Sequence, residues 1–424
     1  MQVDAPPLGE GNRGPSIKST AGVLVLALLL RTLVVAVWAK QHGATQLFQR
    51  GIEMDLLARS LLNGRGLASP FGGSTGPTAF IAPAYPVLVA GIFRVFGVAT
   101  SASAGVIMGL QIAASLATIW LLMALARRCF DERAALVAGL FWAMSPPLLF
   151  VPTIFWETSF SICLLMGLLA LAVVVRAHPT VGLAVALGGC CGLCALVNPA
   201  LLLSALAIVV AACWRGTRGR NLLLAAGAFA LVFCAWPIRN AMVFHAFVPL
   251  RTTVGFELWM GNHPGATGYL DESLFPMFNS HELNLYREQG EIAYTNGKTS
   301  LAVRWIEAHP GTFAALSAHR IVRFWTGTGT RGGSLFFGLH AVMSTVLGFC
   351  GLTLLVIRRR RWLALLLSLP LVLFPLPYSM THAEFRYRLV IDPVLTLLGA
   401  YAVTEWMRTR AQDASPAKLR HVPE

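Results

Sequence analysis

Charge is what this chain lacks most. Only 12% of its 424 residues are Asp, Glu, Lys or Arg, about half the share a soluble domain carries. Acids are the scarcer sign, 19 against 33 bases. Repeated apolar runs of span length stand in their place, and 56% of the residues are hydrophobic. These features exclude a soluble globular protein and predict an all-α polytopic integral membrane protein. Metal-ligand spacing is missing too. The eight cysteines lie almost wholly within or at the ends of apolar runs and read as small buried hydrophobes. Cys191 and Cys194 have CxxC spacing but no second ligand pair, and His263, His281, His309 and His319 are scattered, so no metal site is expected. The first apolar run is long and has no small-residue cleavage site, so no cleavable signal is expected. No internal repeat is visible, and no Gly/Pro-broken spans match between two halves, which argues against a secondary transporter.

The net charge of +14 does not point to nucleic acid, because the bases sit mostly in short loops between apolar runs. Membrane lipid is the expected surrounding. Ten spans are predicted, near residues 21–39, 103–126, 134–152, 157–175, 181–197, 199–213, 222–236, 335–357, 362–378 and 388–406. With that number, Arg127, Arg128, Arg133, Arg176, Arg215, Arg218, Arg220, the run Arg358 to Arg361, Arg408, Arg410, Lys418 and Arg420 share one side. The positive-inside rule makes that side cytoplasmic, together with both termini. The organisation read from this is a disordered cytoplasmic tail 1–20, a transmembrane module 21–236 whose first outer loop is 40–102, an outer segment 237–334, C-terminal spans 335–407 and a cytoplasmic tail 408–424.

The stretch from Gln49 to Gly97 holds the first acids after the N-terminal tail, Glu53 and Asp55. Apolar residues at 54, 57, 58 and 61 follow a helical period and predict a short helix over 53–63 that rests on the membrane surface. Glycines from Gly64 to Gly76 break it, and a second short apolar helix is predicted over 84–97. Residues two apart on a helix diverge. Glu53 lies over Leu57 and Leu61, toward lipid or protein, whereas Asp55 lies over Arg59 as a solvated pair. An acid on the inward side is costly unless it has a partner or a task, so Glu53 is preferred as the reactive one; a helix N-terminal acid favoured by the dipole is the plainer reading.

Other polar residues gather at the outer span ends. They are Glu157, which could also cap the helix after it; Arg239 and Asn240 in WPIRN; Arg251, Glu257 and Asn262 in PLRTTVGFELWMGN; and His382, Glu384, Arg386 and Arg388 in THAEFRYR. A carboxylate can take the proton of an acceptor hydroxyl, and arginines can hold a lipid phosphate through paired hydrogen bonds. Arg239, Arg386 and Arg388 are outside, where a bare positive charge has no topological use. Asn240 and Asn262 also suit capping of backbone groups, Glu257 suits an ion pair, and His382 with Glu384 could form a metal or proton-shuttle pair. Glu282, Glu288 and Glu291 with Arg287 read as a solvated helical face.

LARSLLNGRGL, GPTAFIAPAYPVLVAGIFRVFG and RYRLVIDP, behind a first-loop acid, resemble the GT-C glycosyltransferases. More closely, the chain resembles the bacterial branch related to protein O-mannosyltransferases and the lipid-A aminoarabinose transferase. FWETS, LVNPA, WPIRN, GFELWMGN and RYRLVIDP look like segments of a family-39-like bacterial subgroup. The resemblance spans residues 21–405. It implies a GT-C fold with juxtamembrane helices in the first outer loop. It also implies inverting transfer of a sugar from a polyprenyl phosphate to an acceptor hydroxyl on a glycan, lipid or protein. The site would lie at the periplasmic or exterior face of a bacterial cytoplasmic membrane. Glu53 matches the family's general base and Glu157 its second acid. Here the order is Glu-Met-Asp where many relatives have Asp, which leaves Asp55 as the alternative base. Arg239, Arg386 and Arg388 are phosphate contacts by position, with Asn240, Glu257, Asn262 and His382 beside them. No cofactor is assigned, and a divalent cation is left open. The competing readings are an O-antigen ligase or polymerase using a lipid-pyrophosphate glycan, and a transporter or flippase for a lipid-linked sugar, which would need charge at mid-membrane depth.

Overall fold

The computed structural model describes residues 17–214, 218–327 and 335–413. Arg215, Lys418, Arg420, residues 1–16 of the expected N-terminal tail and 414–424 of the C-terminal one lie outside these.

Helices account for 79% of the described chain. α1 (Ile17–His42) is long and apolar, and a 3-10 turn (Ala44–Arg50) leads to α2 (Ile52–Leu62) and α3 (Ala84–Phe96). These two match the surface helices expected over 53–63 and 84–97. Gly64 (φ 73°) follows the end of α2 and Gly97 (φ 89°) ends α3, in backbone that glycine adopts without strain. α4 (Ser101–Cys129) starts on a Thr100 side-chain cap and α5 (Glu132–Met144) on an Asp131 cap. α6 (Pro146–Phe150) continues α5 after a 57° bend. α7 (Thr158–Ala177), α8 (Val181–Val197) and α9 (Leu202–Cys213) follow, then α10 (Arg218–Phe233) and α11 (Ala235–Phe244), bent by 43° just before Pro237. The outer segment holds α12 (Val254–Gly261), α13 (Ser280–Gln289), α14 (Glu291–Ala308) and α15 (Pro310–Thr326). The chain ends with α16 (Leu335–Ile357), α17 (Arg361–Leu373), α18 (Leu376–Met380), α19 (Phe385–Arg388) and α20 (Asp392–Asp413). Among the described residues the only β pairing is an isolated bridge between Ala68 and Pro77.

Each of the ten predicted ranges is largely helical. Among the described residues five helices are long and apolar enough to cross a membrane, and the two bent pairs raise the number to seven. Close helix packing depends on small residues. Gly188 and Gly192 let α8 lie against the backbone of Ala225 and the side chain of Val232 on α10, and Gly348 and Gly351 let α16 lie against Leu395 and Leu398 on α20.

Arg31, midway along α1, is fully buried. Its guanidinium donates to the carbonyls of Trp142 and Ala143, both at 3.1 Å, and to Ser115 Oγ at 2.8 Å. In a continuous helix those carbonyls would bond the N–H groups four residues on, but these are Pro146 and Pro147, which have none. Arg31 supplies the missing donors. A charge inside the first span thus has a local structural cause and is no sign of transport.

The basic ends converge as the sequence implies. Arg127 binds Glu132 and Thr20, Arg408 pairs with Asp131, Arg360 donates to the Cys129 carbonyl, and Arg176 stacks over Trp362. At the other end a second core is built from both outer stretches. Phe71 and Phe80 of the first loop pack edge-on against Phe275, and Phe71 also against Tyr286. Glu291 latches this core: it accepts from Thr78 Oγ1 (2.5 Å), the Ala79 N–H (2.7 Å), Thr252 Oγ1 (2.7 Å) and the Tyr286 hydroxyl (2.5 Å). Glu282 is also buried, held by Lys298 and Tyr294. The solvated face expected for Glu282 and Glu291 is therefore corrected. Both acids point into a core of aromatic rings, where hydroxyl and N–H donors replace water.

Candidate active site

α2 presents Glu53 because its apolar side, Met54, Leu57 and Ala58, is buried in the outer core. Asp55 does pair with Arg59, at 2.7 Å. It is not solvated, however: it is buried, and its second oxygen has no hydrogen-bond partner among the described residues. Glu53 is half-buried and has no ion pair with the described residues. Burial raises its pKa above the ordinary carboxylate range, and its own backbone N–H, Arg386 and Arg251 pull it back only in part.

Glu157 has the same surroundings. It occupies the cap position of α7, yet its side chain makes no capping bond. Burial raises its pKa, against its backbone N–H and then Arg386 and Arg251. Arg386 and Arg251 thus favour the ionised form of two acids from separate segments. Tyr85 of α3 stands near Glu157, and its buried hydroxyl has no partner among the described residues.

α19 brings the late motif to the same place. Arg386 pairs with Glu384 at 2.9 Å and lies 4.6 Å from the centre of the Trp156 ring. Burial works against its charge, but Tyr387, Glu384 and Glu157 outweigh that and raise its pKa. Arg251 donates to the Phe80 carbonyl at 2.8 Å and sits 3.9 Å from Glu257. Glu257 in turn is 3.4 Å from His382, whose other nitrogen is 3.0 Å from the Tyr387 hydroxyl. Tyr387 stacks on Tyr378 at 4.4 Å. Arg251, Glu257, Arg386 and Glu384 keep between 27% and 30% of their side-chain surface open, so a ligand can reach them.

The remaining expected site residues are placed elsewhere. Arg388 is completely buried, pairs with Asp392 at 2.8 Å and donates to Ser344 and Thr345, so it cannot hold a phosphate. His340 bridges the same Asp392 to Ser145, at 2.9 and 2.7 Å. Arg239 is turned onto the first loop, donating to the carbonyls of Thr78 (2.8 Å) and Leu67 (3.0 Å). Asn240 binds the Val248 carbonyl, and Asn262 those of Leu258 and Met380, the backbone-capping role allowed by sequence. Sequence reasoning passed over Tyr387, Trp156 and Tyr85 as site residues. Tyr387 had a signal, an aromatic ring between two outer arginines. Among the described residues no three His, Cys, Asp or Glu side chains gather as a metal site would need.

The fold has solved counterparts. The apo oligosaccharyltransferase of Archaeoglobus fulgidus matches with TM-score 0.54 and 15% identity, over 93% of this chain and 52% of that one. The same organism's AglB oligosaccharyltransferase, in complex with an inhibitory peptide and a dolichol-phosphate, matches with TM-score 0.50 and 14% identity, over 93% and 51%. ArnT from Cupriavidus metallidurans bound to undecaprenyl phosphate gives TM-score 0.40 and 15% identity, over 94% and 82%. This chain spans about half the length of the oligosaccharyltransferases it matches. The chain therefore shares its fold with the A. fulgidus oligosaccharyltransferases, and it is all-α with several apolar helices as expected. No family model and no curated protein sequence matches.

Proposed function

We propose that this protein is a membrane glycosyltransferase that moves a sugar from a polyprenyl phosphate to an acceptor hydroxyl. The observation that carries the reading is the meeting of three segments at the end of the molecule away from the basic loops. Gly51, just before Glu53, packs on Phe155, and Arg386 lies 4.6 Å from the centre of the Trp156 ring, next to Glu157. In the reaction the acceptor oxygen attacks the anomeric carbon from the face opposite the phosphate, and its proton passes to Glu53. The bond between that carbon and the phosphate oxygen breaks, and the lipid phosphate leaves with the electron pair. Inversion follows from the single in-line step. Arg386 and Arg251 stabilise the charge that grows on the leaving phosphate. Glu157, beside Tyr85, orients the acceptor. Trp156 and the Tyr378–Tyr387 stack offer aromatic faces for a sugar ring.

The A. fulgidus enzyme was captured with a dolichol-phosphate and a peptide, which agrees with a phosphate-borne donor and a second substrate meeting in this fold. On this reading 21–236 is the catalytic membrane module, 237–334 shapes the acceptor side, and 335–407 brings Arg386. The site faces the periplasm or exterior of a bacterial cytoplasmic membrane, because the basic loops lie at the opposite end. The test uses purified full-length protein in lipid nanodiscs with polyprenyl-phosphate sugars and, separately, polyprenyl-pyrophosphate oligosaccharides. Release of polyprenyl phosphate, lost in Glu53→Gln, is the expected result. Turnover of the pyrophosphate donor alone would move the assignment to the ligase or polymerase reading. Sugar crossing a sealed bilayer without bond formation would move it to a transporter.

A further inference from the structure

We infer that the cytoplasmic end of the molecule carries a site for one anionic glycerophospholipid, in the groove between α16 and α17. This groove of about 460 Å³ is lined by Leu352, Val356, Ala364 and Leu365, and Arg359 and Arg361 stand at its mouth. It lies at the opposite end from the carboxylate and arginine cluster described above.

The four consecutive arginines divide their work. Arg358 pairs with Glu405 at 3.1 Å, and Arg360 donates to the Cys129 carbonyl at 2.6 Å and lies over the Phe130 ring. Those two fasten the turn to the bundle. Arg359 and Arg361 are exposed, and their side chains make no hydrogen bond or ion pair with the described residues. Alternation arises because the turn is not helical there: Arg359 has φ 57°, a left-handed conformation that side chains other than glycine rarely take. The turn thus ties two of the four side chains to the bundle and leaves two guanidiniums beside the groove.

The surroundings select the ligand. Val356 and Leu365 are exposed apolar residues beside the arginines, so the groove opens toward acyl chains. From Arg361 to Ser368 the groove wall runs seven residues, roughly 10 Å at helical rise, enough for the upper part of one acyl chain. Guanidinium groups match a phosphodiester by paired hydrogen bonds, and a basic end at a membrane surface attracts anionic lipid. Apolar wall and unpaired charge together fit a phosphate that carries its own hydrocarbon.

The probe is dioleoyl phosphatidylglycerol, offered to delipidated full-length protein against phosphatidylcholine with the same chains, with adducts counted by native mass spectrometry. The expected result is one phosphatidylglycerol adduct preferred at least fivefold, with the preference lost in the Arg359→Gln/Arg361→Gln double variant and kept in Arg410→Gln at the same end. Ser368→Phe, which fills the groove and leaves both arginines in place, should also lose it. Thermal unfolding at wild-type temperature shows that each variant is folded. Equal loss in Arg410→Gln would reduce the effect to general surface charge and overturn the site. Binding that survives Ser368→Phe, or a dimer mass abolished by the double variant, would overturn it in favour of a surface contact or a second protein helix.

Discussion

Gly51 lies against Phe155 so closely that a Cβ at Gly51 would stand 2.2 Å from the Phe155 carbonyl oxygen. This contact sets the start of α2, and with it Glu53, beside the segment that ends in Glu157. Gly51→Ala should push the two apart. Expected are a loss of stability of about 1–3 kcal/mol from overpacking and a fall in transfer rate of at least tenfold, since misplacement by about 1 Å can cost 10²-fold. Paired melting curves and initial rates check this. A wild-type rate in the variant would show that the spacing of the two acids is immaterial.

The raised pKa of Glu53 gives the rate a sign. A general base works deprotonated, so kcat/KM should climb with pH through a midpoint above the ordinary glutamate value of about 4.3. Arg386 favours the carboxylate form of Glu53 and Glu157. Arg386→Gln removes that support and should move the midpoint further up while lowering the plateau. A pH–rate series on both proteins decides it, and a midpoint that moves down would contradict the placement of Arg386.

Arg386 and Arg388 are two residues apart and should behave differently. Arg388→Met leaves Asp392 buried without its cation, a change that costs about 3–5 kcal/mol and should appear first as low yield and early unfolding. Arg386→Lys should melt near wild type, yet lose donor affinity, because an ammonium lacks the forked donors that fit a phosphate. Melting temperature against donor KM separates the two.

Arg31→Leu strands the carbonyls of Trp142 and Ala143 next to two prolines. Each unsatisfied buried group costs about 1–3 kcal/mol, so the variant should be clearly less stable. Residual folded protein should still catalyse transfer, because Arg31 contacts none of the reacting groups. Activity per folded molecule is the measurement to make. Loss of that specific activity with the fold intact would give Arg31 a direct role.

The sequence made some of this legible and hid the rest for physical reasons. α2 and α3 could be read because each repeats apolar residues at helical spacing and ends near glycine. The Asp55–Arg59 pair followed from a separation of four. The three outer arginines looked alike because sequence gives side of membrane but not direction. The same i,i+4 rule, applied to Arg388 and Asp392, would have set Arg388 aside. Nothing local could reveal that Arg239 is spent on the carbonyls of Leu67 and Thr78, or that Glu291 is a core residue. Those contacts join segments far apart in the chain, and helical periodicity carries no information about them.

Thr78 and Glu291 share a hydrogen bond across 213 positions. During synthesis, therefore, the loop bearing Glu53 lacks the buried acid that latches it until the helix of Glu291 has been made, and Arg386 follows later still. A chain cut short within the outer segment would insert its early spans but lack a competent reaction centre. On the proposed function, the order of translation keeps the nascent polypeptide inert toward lipid-borne sugar until its final helices are in the bilayer.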